Sequence, residues 1–336
     1  MEAGLFLVVA LAFAFAFTNG VQDAANSIAT LVATRAARPA HALVLATVCI
    51  LVGPLVIGSA VASTIAGLID VEPSDAVEVA VAALGAALAW NLGAWYRGLP
   101  SSPTHALVGG LVGAALAAAG PDAVNWGGRD GWRPEGVVAV LFALAVSPFL
   151  GAWAALLVLR GFRRALRRVT RRVTGSIRRA QWVTSALLSV AEGANDAQKT
   201  VGVLATVSLA EGVTSTLEAP RWAVVGAALS LTAGTMVGGW RIVRTIGRRI
   251  YELRSLDALA SQTGSAAVVL GASLTGAPVS TTHVVSSSVV GVGGGRRRWG
   301  RIRWAVVTEM AIAWLTTLPT TALLAAVGLS VWRWLT

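Results

Sequence analysis

Two nine-residue segments, 173 positions apart, constrain this chain more than anything else in its sequence. The first runs Asn-Gly-Val-Gln-Asp-Ala-Ala-Asn-Ser from Asn19 to Ser27, the second Glu-Gly-Ala-Asn-Asp-Ala-Gln-Lys-Thr from Glu192 to Thr200. They align without a gap: Gly20 falls on Gly193, Asp23 on Asp196 and Asn26 on Lys199. Each lies within an otherwise apolar helical pattern. Ionisable groups there are costly and mark an ion or substrate path.

The solvent of these segments follows from composition. With 55% hydrophobic and 13% charged residues among 336, and a mean hydropathy of +0.70, the chain reads as an integral membrane protein whose apolar runs are long enough to span a bilayer. Residues 1–17 are apolar but lack a basic flank, so they are expected to be a retained first span and not a cleaved signal. The single Cys49 excludes an intrachain disulfide framework and a multi-cysteine metal site.

A net charge of +11 would suggest nucleic acid in a soluble protein. Here nine arginines lie between Arg160 and Arg179 with no acidic residue among them, and further clusters occur at Arg35 and Arg38, Arg241 to Arg254, and Arg296 to Arg303. The positive-inside rule puts all of these in the cytoplasm. The acidic stretch Asp70, Glu72, Asp75, Glu78 and the Gly/Pro-rich segment 120–135 then face outside. The arginines are read as setting topology and meeting anionic lipid, with no nucleic-acid partner.

Followed with these anchors, the apolar runs predict helices over about 4–34, 41–68, 135–160, 181–207, 220–240 and 302–332, with helical hairpins over about 76–120 and 257–295. The expected fold is all-α, with two inverted-topology repeats, each of helix, helix, broken hairpin and helix. Repeat 1 occupies 1–160 and repeat 2 occupies 181–336. Between them, 161–180 forms a basic cytoplasmic loop, and both termini lie outside. Such repeats place a binding site near the midplane between the halves. Ser102-Pro103-Thr104-His105 matches Ser280-Thr281-Thr282-His283 at an offset of 178, close to that of the aspartates. Pro103, Pro278 and the nearby glycines mark each junction as a helix break, which survives at membrane depth only where protein or a water-filled cavity satisfies its backbone.

The junctions suit a tetrahedral oxyanion. A helix starting after each break aims free N–H groups and its positive end at the junction, and Ser101, Ser102, Thr104, Ser280, Thr281 and Thr282 add hydroxyl donors. Two carboxylates beside an anion would repel it. Asp23 and Asp196, with the amides of Asn19, Gln22, Asn26 and Asn195, are instead suited to a small cation or to protons, so the arrangement reads as cotransport.

These residues closely resemble the inorganic phosphate transporter family, which repeats a Gly-x-Asn-Asp-x-x-Asn-type motif in two halves and has Ser/Thr-His hairpin tips. Similar stretches include Trp90-Asn91, Gly98-Leu99-Pro100-Ser101-Ser102 and Gly238-Gly239-Trp240-Arg241. The resemblance implies a helical symporter, commonly a homodimer in the plasma (inner) membrane, taking up phosphate with protons or sodium, or as a metal–phosphate complex. Matched by position, Asp23, Asn26, Asn195 and Asp196 are the motif residues, and the two Ser/Thr clusters, with Asn26 and Asn195, bind the anion. The resemblance implies no cofactor beyond the coupling ion; sodium would be held by Asp23 and Asp196.

Gln22 stands where the motif often has Asn or His, and Gln198-Lys199 replaces the second small residue and Asn. Lys199 is the chain's one lysine. A protonated amine cannot ligate sodium, which favours protons or metal–phosphate; alternatively Lys199 only pairs with Asp196 or Glu192. His105 and His283 relay protons, donate to the anion, or only cap their helices. Arg97 attracts the anion or snorkels to a surface, and Glu309 is partnered within the bundle or serves coupling. The tryptophans read as interfacial anchors. Alternatives from other classes are an intramembrane hydrolase, disfavoured because every Ser/His/Asp constellation is duplicated, and an anion channel. A sulfate permease of the same fold would use the same donors.

Overall fold

The computed structural model describes residues 2–130, 133–167, 173–296 and 299–335. The chain is a helical bundle: α1 (Glu2–Ala33), α2 (Pro39–Val56), α3 (Ala60–Ala66), α4 (Pro73–Arg97), α5 (Pro103–Ala119), α6 (Gly136–Ala165), α7 (Thr174–Ala210), α8 (Arg221–Val237), α9 (Trp240–Arg244), α10 (Ser255–Thr275), α11 (Thr281–Gly295) and α12 (Trp304–Leu335). A two-residue ribbon, β1 (Arg129–Asp130) with β2 (Arg133–Pro134), decorates the loop before α6. Among the described residues α1, α2, α4, α6 and α12 are each long and apolar enough to cross a membrane.

Of the second helices, the one expected over about 41–68 is interrupted, whereas the one expected over about 220–240 ends close to its expected end. In repeat 1 the helix stops at Val56 and resumes as α3; in repeat 2 α8 stops at Val237 and bends by 61° into α9, which continues as a π-helical turn over Thr245–Arg249. Gly238, at φ 69°, supplies the second break, a conformation that costs glycine little. The expected loop 161–180 is helical at both ends, because α6 continues to Ala165 and α7 begins at Thr174. Residues 168–172 of that loop lie outside the described residues.

Packing is reciprocal between the halves. The α4–α5 hairpin lies on α12, and α10–α11 lies on α6; α1 packs on α8, and α7 on α2. The motif glycines explain the last two contacts. A Cβ at Gly20 would sit 1.9 Å from the Leu231 carbonyl of α8, and one at Gly193 would sit 2.2 Å from the Ile50 carbonyl of α2. Without hydrophobic drive between helices in lipid, such small-residue contacts let backbones approach and hold the bundle. The short elements after the breaks follow the same reciprocity. Thr64 of α3 donates to the Gly276 carbonyl (2.8 Å), and Thr245 donates to the Gly98 carbonyl (3.1 Å). Gly98 and Gly276, both left-handed, end α4 and α10 at the hairpin tips.

Candidate functional site

The site lies where α1 and α7 cross. Thr34 donates to Gln181 (2.8 Å), Ser185 donates to the Ser27 carbonyl (2.8 Å), Ser27 donates to Glu192, and the Asp23 and Asp196 carboxyl groups meet. As numbers rise along α1 they fall along α7, so the first helices of the two repeats run antiparallel. That register puts the two motif aspartates opposite one another at its centre. Asn19, Gln22, Asp23, Asn26, Ser27, Glu192, Asn195, Asp196 and Lys199 are all buried.

The hairpin tips close on this crossing from both repeats. Ser102 and Ser280 are the N-caps of α5 and α11, accepting from the His105 and His283 backbone N–H at 3.2 and 3.3 Å, as short hydroxyl residues do at helix starts. From tip 2, Thr281 approaches Asp23 (3.5 Å) and Thr282 accepts from the Asn26 amide (3.1 Å). From tip 1, Ser101 approaches Gln22 (3.4 Å), and Thr104 donates to the Val279 carbonyl of tip 2 (3.2 Å). Ser101, Thr281 and Thr282 thus reach the motif residues, Thr104 joins the two tips, and all six tip hydroxyls are buried.

The two aspartates have unlike surroundings. Lys199 forms an ion pair with Asp196 and donates to the Val279 carbonyl (3.2 Å). Besides the Asp196 carboxyl that it meets, Asp23 has loose contacts with Asn26 at 3.4 Å and Thr281 at 3.5 Å. Glu192 does not pair with Lys199; it takes the Ser27 hydroxyl. Three buried carboxyl groups thus face a single ammonium. One oxygen on each of Asp23, Asp196, Glu192, Asn19, Asn26 and Asn195 has no protein partner. Buried acceptors of this kind are the ligand set of a hard cation or the seat of a proton. The free donors among the motif amides are Asn19 Nδ2, Gln22 Nε2 and Gln198 Nε2. Asn195 Nδ2 is committed to Ser273 and the Ala277 carbonyl.

His105 and His283 meet, with ring centroids 4.6 Å apart, and His283 lies on Trp314 of α12 at 4.0 Å. His105 Nδ1 contacts the Ser102 hydroxyl at 2.7 Å, whereas neither His283 ring nitrogen makes a hydrogen bond of regular geometry among the described residues. The helix caps are thus the serines and not the imidazoles. Arg97 is exposed. Glu309 is not held within the bundle core: it is half-exposed and lies 3.9 Å from Arg249.

Sequence reasoning missed the roles of four residues. Glu192 and Ser27 were inside the motifs, but their pairing depends on the antiparallel crossing. Gln198 accepts from the Val61 and Ala62 N–H groups (2.8 and 3.2 Å) and so caps α3 after the break. Trp314, read as an interfacial anchor, instead joins His283 to tip 1 by donating to the Pro100 carbonyl (2.8 Å); nothing in its local sequence marks it.

Comparison with known proteins agrees with this geometry. The phosphate transporter family profile matches residues 19–174 and 164–325. A probable low-affinity inorganic phosphate transporter of Bacillus subtilis (strain 168) is 38% identical over 328 residues, covering 96% of this chain and 95% of its own. One from Mycobacterium bovis is 40% identical over 325 residues, covering 96% and 76%. The solved structure titled "The sodium-dependent phosphate transporter" superposes with a TM-score of 0.88 at 26% identity, covering 99% of this chain and all of that one.

Proposed function

Because the chain belongs to the phosphate transporter family, it is a multi-pass membrane transporter of phosphate and not an enzyme, and we propose that it imports inorganic phosphate by symport with protons through alternating access. The observation that carries this reading is the inequality at the crossing: three buried carboxyl groups, one ammonium, and a row of unpartnered oxygens. Unpaired buried charge is strongly unfavourable, so the carboxyl cluster takes up positive charge from solution. An anion entering at the tips then meets a neutralised site.

Within this reading the anion lies between the tips, where Thr282 keeps its hydroxyl proton after accepting from Asn26. Ser101, Thr104 and Thr281 lie beside it, and the N-termini of α5 and α11, capped by Ser102 and Ser280, offer positive dipole ends. Asn26 and Asn195 present carbonyl oxygen as their free atom, and so serve the cation better than the phosphate. Asp23 is the mobile coupling site. Asp196 is held by Lys199, whose ammonium stands where the amide of Asn26 stands in the other half, so one cation site at most is complete. His105 and His283 carry protons between the tips.

The protein works in the plasma membrane as a homodimer, with repeats 1–160 and 181–336, both termini outside and the basic α6–α7 connection in the cytoplasm, as the arginine distribution supports. In a cysteine-free background (Cys49→Ala), cysteines at Ser176 and Asp122 should label from opposite sides; labelling from one side refutes the orientation.

A sodium-coupled reading has its own support, since the solved relative at 26% identity is titled sodium-dependent and the Asp23–Asn26 half carries no ammonium. Uptake of labelled phosphate and sulfate into proteoliposomes, under proton and sodium gradients imposed separately, separates the two. Uptake driven by sodium and indifferent to the proton gradient overturns proton coupling.

A further inference from the structure

Away from the crossing, the ends of α6 and α11 border an open cleft of about 660 Å³ lined by Arg160, Arg163, Arg164, Arg167 and Arg296 together with Gly294 and Gly295. It is built. Arg163 donates to the Gly295 carbonyl (3.1 Å), which ties the C-terminal end of α6 to that of α11 and answers a helix-end carbonyl that would repel an anion. Arg296 is held by Asp257 at the start of α10. No carboxylate among the described residues reaches Arg160, Arg164 or Arg167. Arg160 and Arg164, four residues apart, share a face of α6, and Arg167 follows two residues past its end.

The depth of the cleft is fixed by its neighbours. The Trp299 ring lies against Gly294 and stacks on Trp304, with centroids 6.2 Å apart, and both tryptophans are about half exposed. Exposed tryptophan pairs mark the bilayer–water interface. On the apolar side, α6 runs without a charge from Gly136 to Leu159. The guanidinium groups therefore sit at headgroup level, on the side where basic clusters gather.

We propose that this cleft is a second anion site, separate from the transport path, that binds a phosphate group, and that its occupant is the headgroup of an anionic phospholipid. Converging guanidinium groups with no carboxylate between them repel one another, and a phosphate oxyanion offers each a charge-assisted hydrogen bond. Basic pockets between spanning helices at this depth suit such headgroups. Free cytosolic phosphate carries the same chemistry, and the test separates the two sources. The assignment does not depend on the coupling ion. It also places a ligand across the joint between α6 and the hairpin that carries tip 2, because Gly151 and Gly291 bring α6 and α11 into backbone contact.

The test uses the full-length protein in neutral detergent, wild type and the variant R160Q/R164Q/R167Q, which spares the structural Arg163 and Arg296. Native mass spectrometry and thermal shift are read with dioleoyl phosphatidylglycerol, dioleoyl phosphatidylcholine or inorganic phosphate. Phosphatidylglycerol should bind and stabilise the wild type, phosphatidylcholine much less. The variant should lose roughly fivefold in affinity per arginine, on the order of a hundredfold in all. Stabilisation by inorganic phosphate that the variant loses, with none from phosphatidylglycerol, keeps the anion site and moves its occupant to the cytosol. Equal phosphatidylglycerol binding by the wild type and a variant shown folded by gel filtration overturns the site, as does failure of both anions to bind.

Discussion

The two acidic motifs are built on the same backbone and differ in what stands beside the carboxylate. In α7 one oxygen of Asp196 is taken by Lys199, which is fixed a second time by the Val279 carbonyl, while the other oxygen, like one of Asp23, has no partner among the described residues. In α1 the Asp23 carboxyl has Asn26 and Thr281 at the far edge of hydrogen-bonding distance and one oxygen with no partner. The flanking pair is unlike too. Where Glu192 holds Ser27, the matching Asn19 and Thr200 leave their side-chain polar atoms without partners. One half carries its positive charge in the chain, and the other must take it from solution. The two motifs share their geometry, and the differences at 19/192, 26/199 and 27/200 make their surroundings chemically unlike.

The largest effect expected from breaking this comparison is on Asp23. Asp23→Ala should abolish gradient-driven phosphate uptake while gel filtration shows a folded protein, because it removes the α1 motif carboxyl, which has no fixed counter-charge. Uptake that survives would move the coupling site elsewhere.

Lys199→Met tests the α7 half. Removing one partner of a buried ion pair leaves an uncompensated charge and should cost about 3–5 kcal/mol, read as a large drop in Tm. The double variant Lys199→Met/Asp196→Leu should recover most of that stability without recovering uptake. A single variant as stable as the wild type would show that Asp196 is already neutral without its lysine. Lys199→Asn sharpens the contrast, since an amide in place of the ammonium gives both halves the same ligand type and is expected to admit sodium as a driving ion.

A smaller effect separates the tips. Thr282→Val removes a hydroxyl that faces the crossing with its proton free and should weaken phosphate binding by about 1.5–3 kcal/mol, the range for a hydrogen bond to a charged group. Thr104 already spends its proton on the Val279 carbonyl. Thr104→Val should therefore cost less, about 0.5–1.5 kcal/mol, mostly as stability. Equal losses of affinity in competition binding would show that both tips hold the anion alike.

How much of this was legible beforehand follows the range of each interaction. The repeats, the spans and the tips could be read because apolar length, proline, glycine and a repeated motif are local signals. The break after Val56 was hidden inside an apolar run that continues through it, and Gln198, far away in sequence, caps the helix that follows; the end of α8 at Val237 was marked by Gly238-Gly239. The pairing of Ser27 with Glu192 needed the crossing register, which no local pattern encodes. Trp314 reads as a membrane anchor until tip 2 places His283 against it. Lys199 could be recognised as the odd residue of its motif, but the choice between Asp196 and Glu192 as its partner was a matter of three-dimensional reach.

The smallest effect belongs to an exposed ion pair made by α12. Arg249 and Glu309 stand 3.9 Å apart and about half exposed, whereas Lys199 and Asp196 are buried. An exposed pair at that distance gains little from its charges and contributes about 0–1 kcal/mol. Glu309→Gln should therefore leave phosphate uptake unchanged and shift Tm by no more than a few degrees, a small fraction of the loss expected from Lys199→Met. The two variants measured together show whether burial or the mere presence of an acid in a spanning helix decides its importance. If Glu309→Gln alters the dependence of uptake on the proton gradient while Tm holds, then an acid outside the crossing takes part in coupling, and the division of labour between α1 and α7 is incomplete.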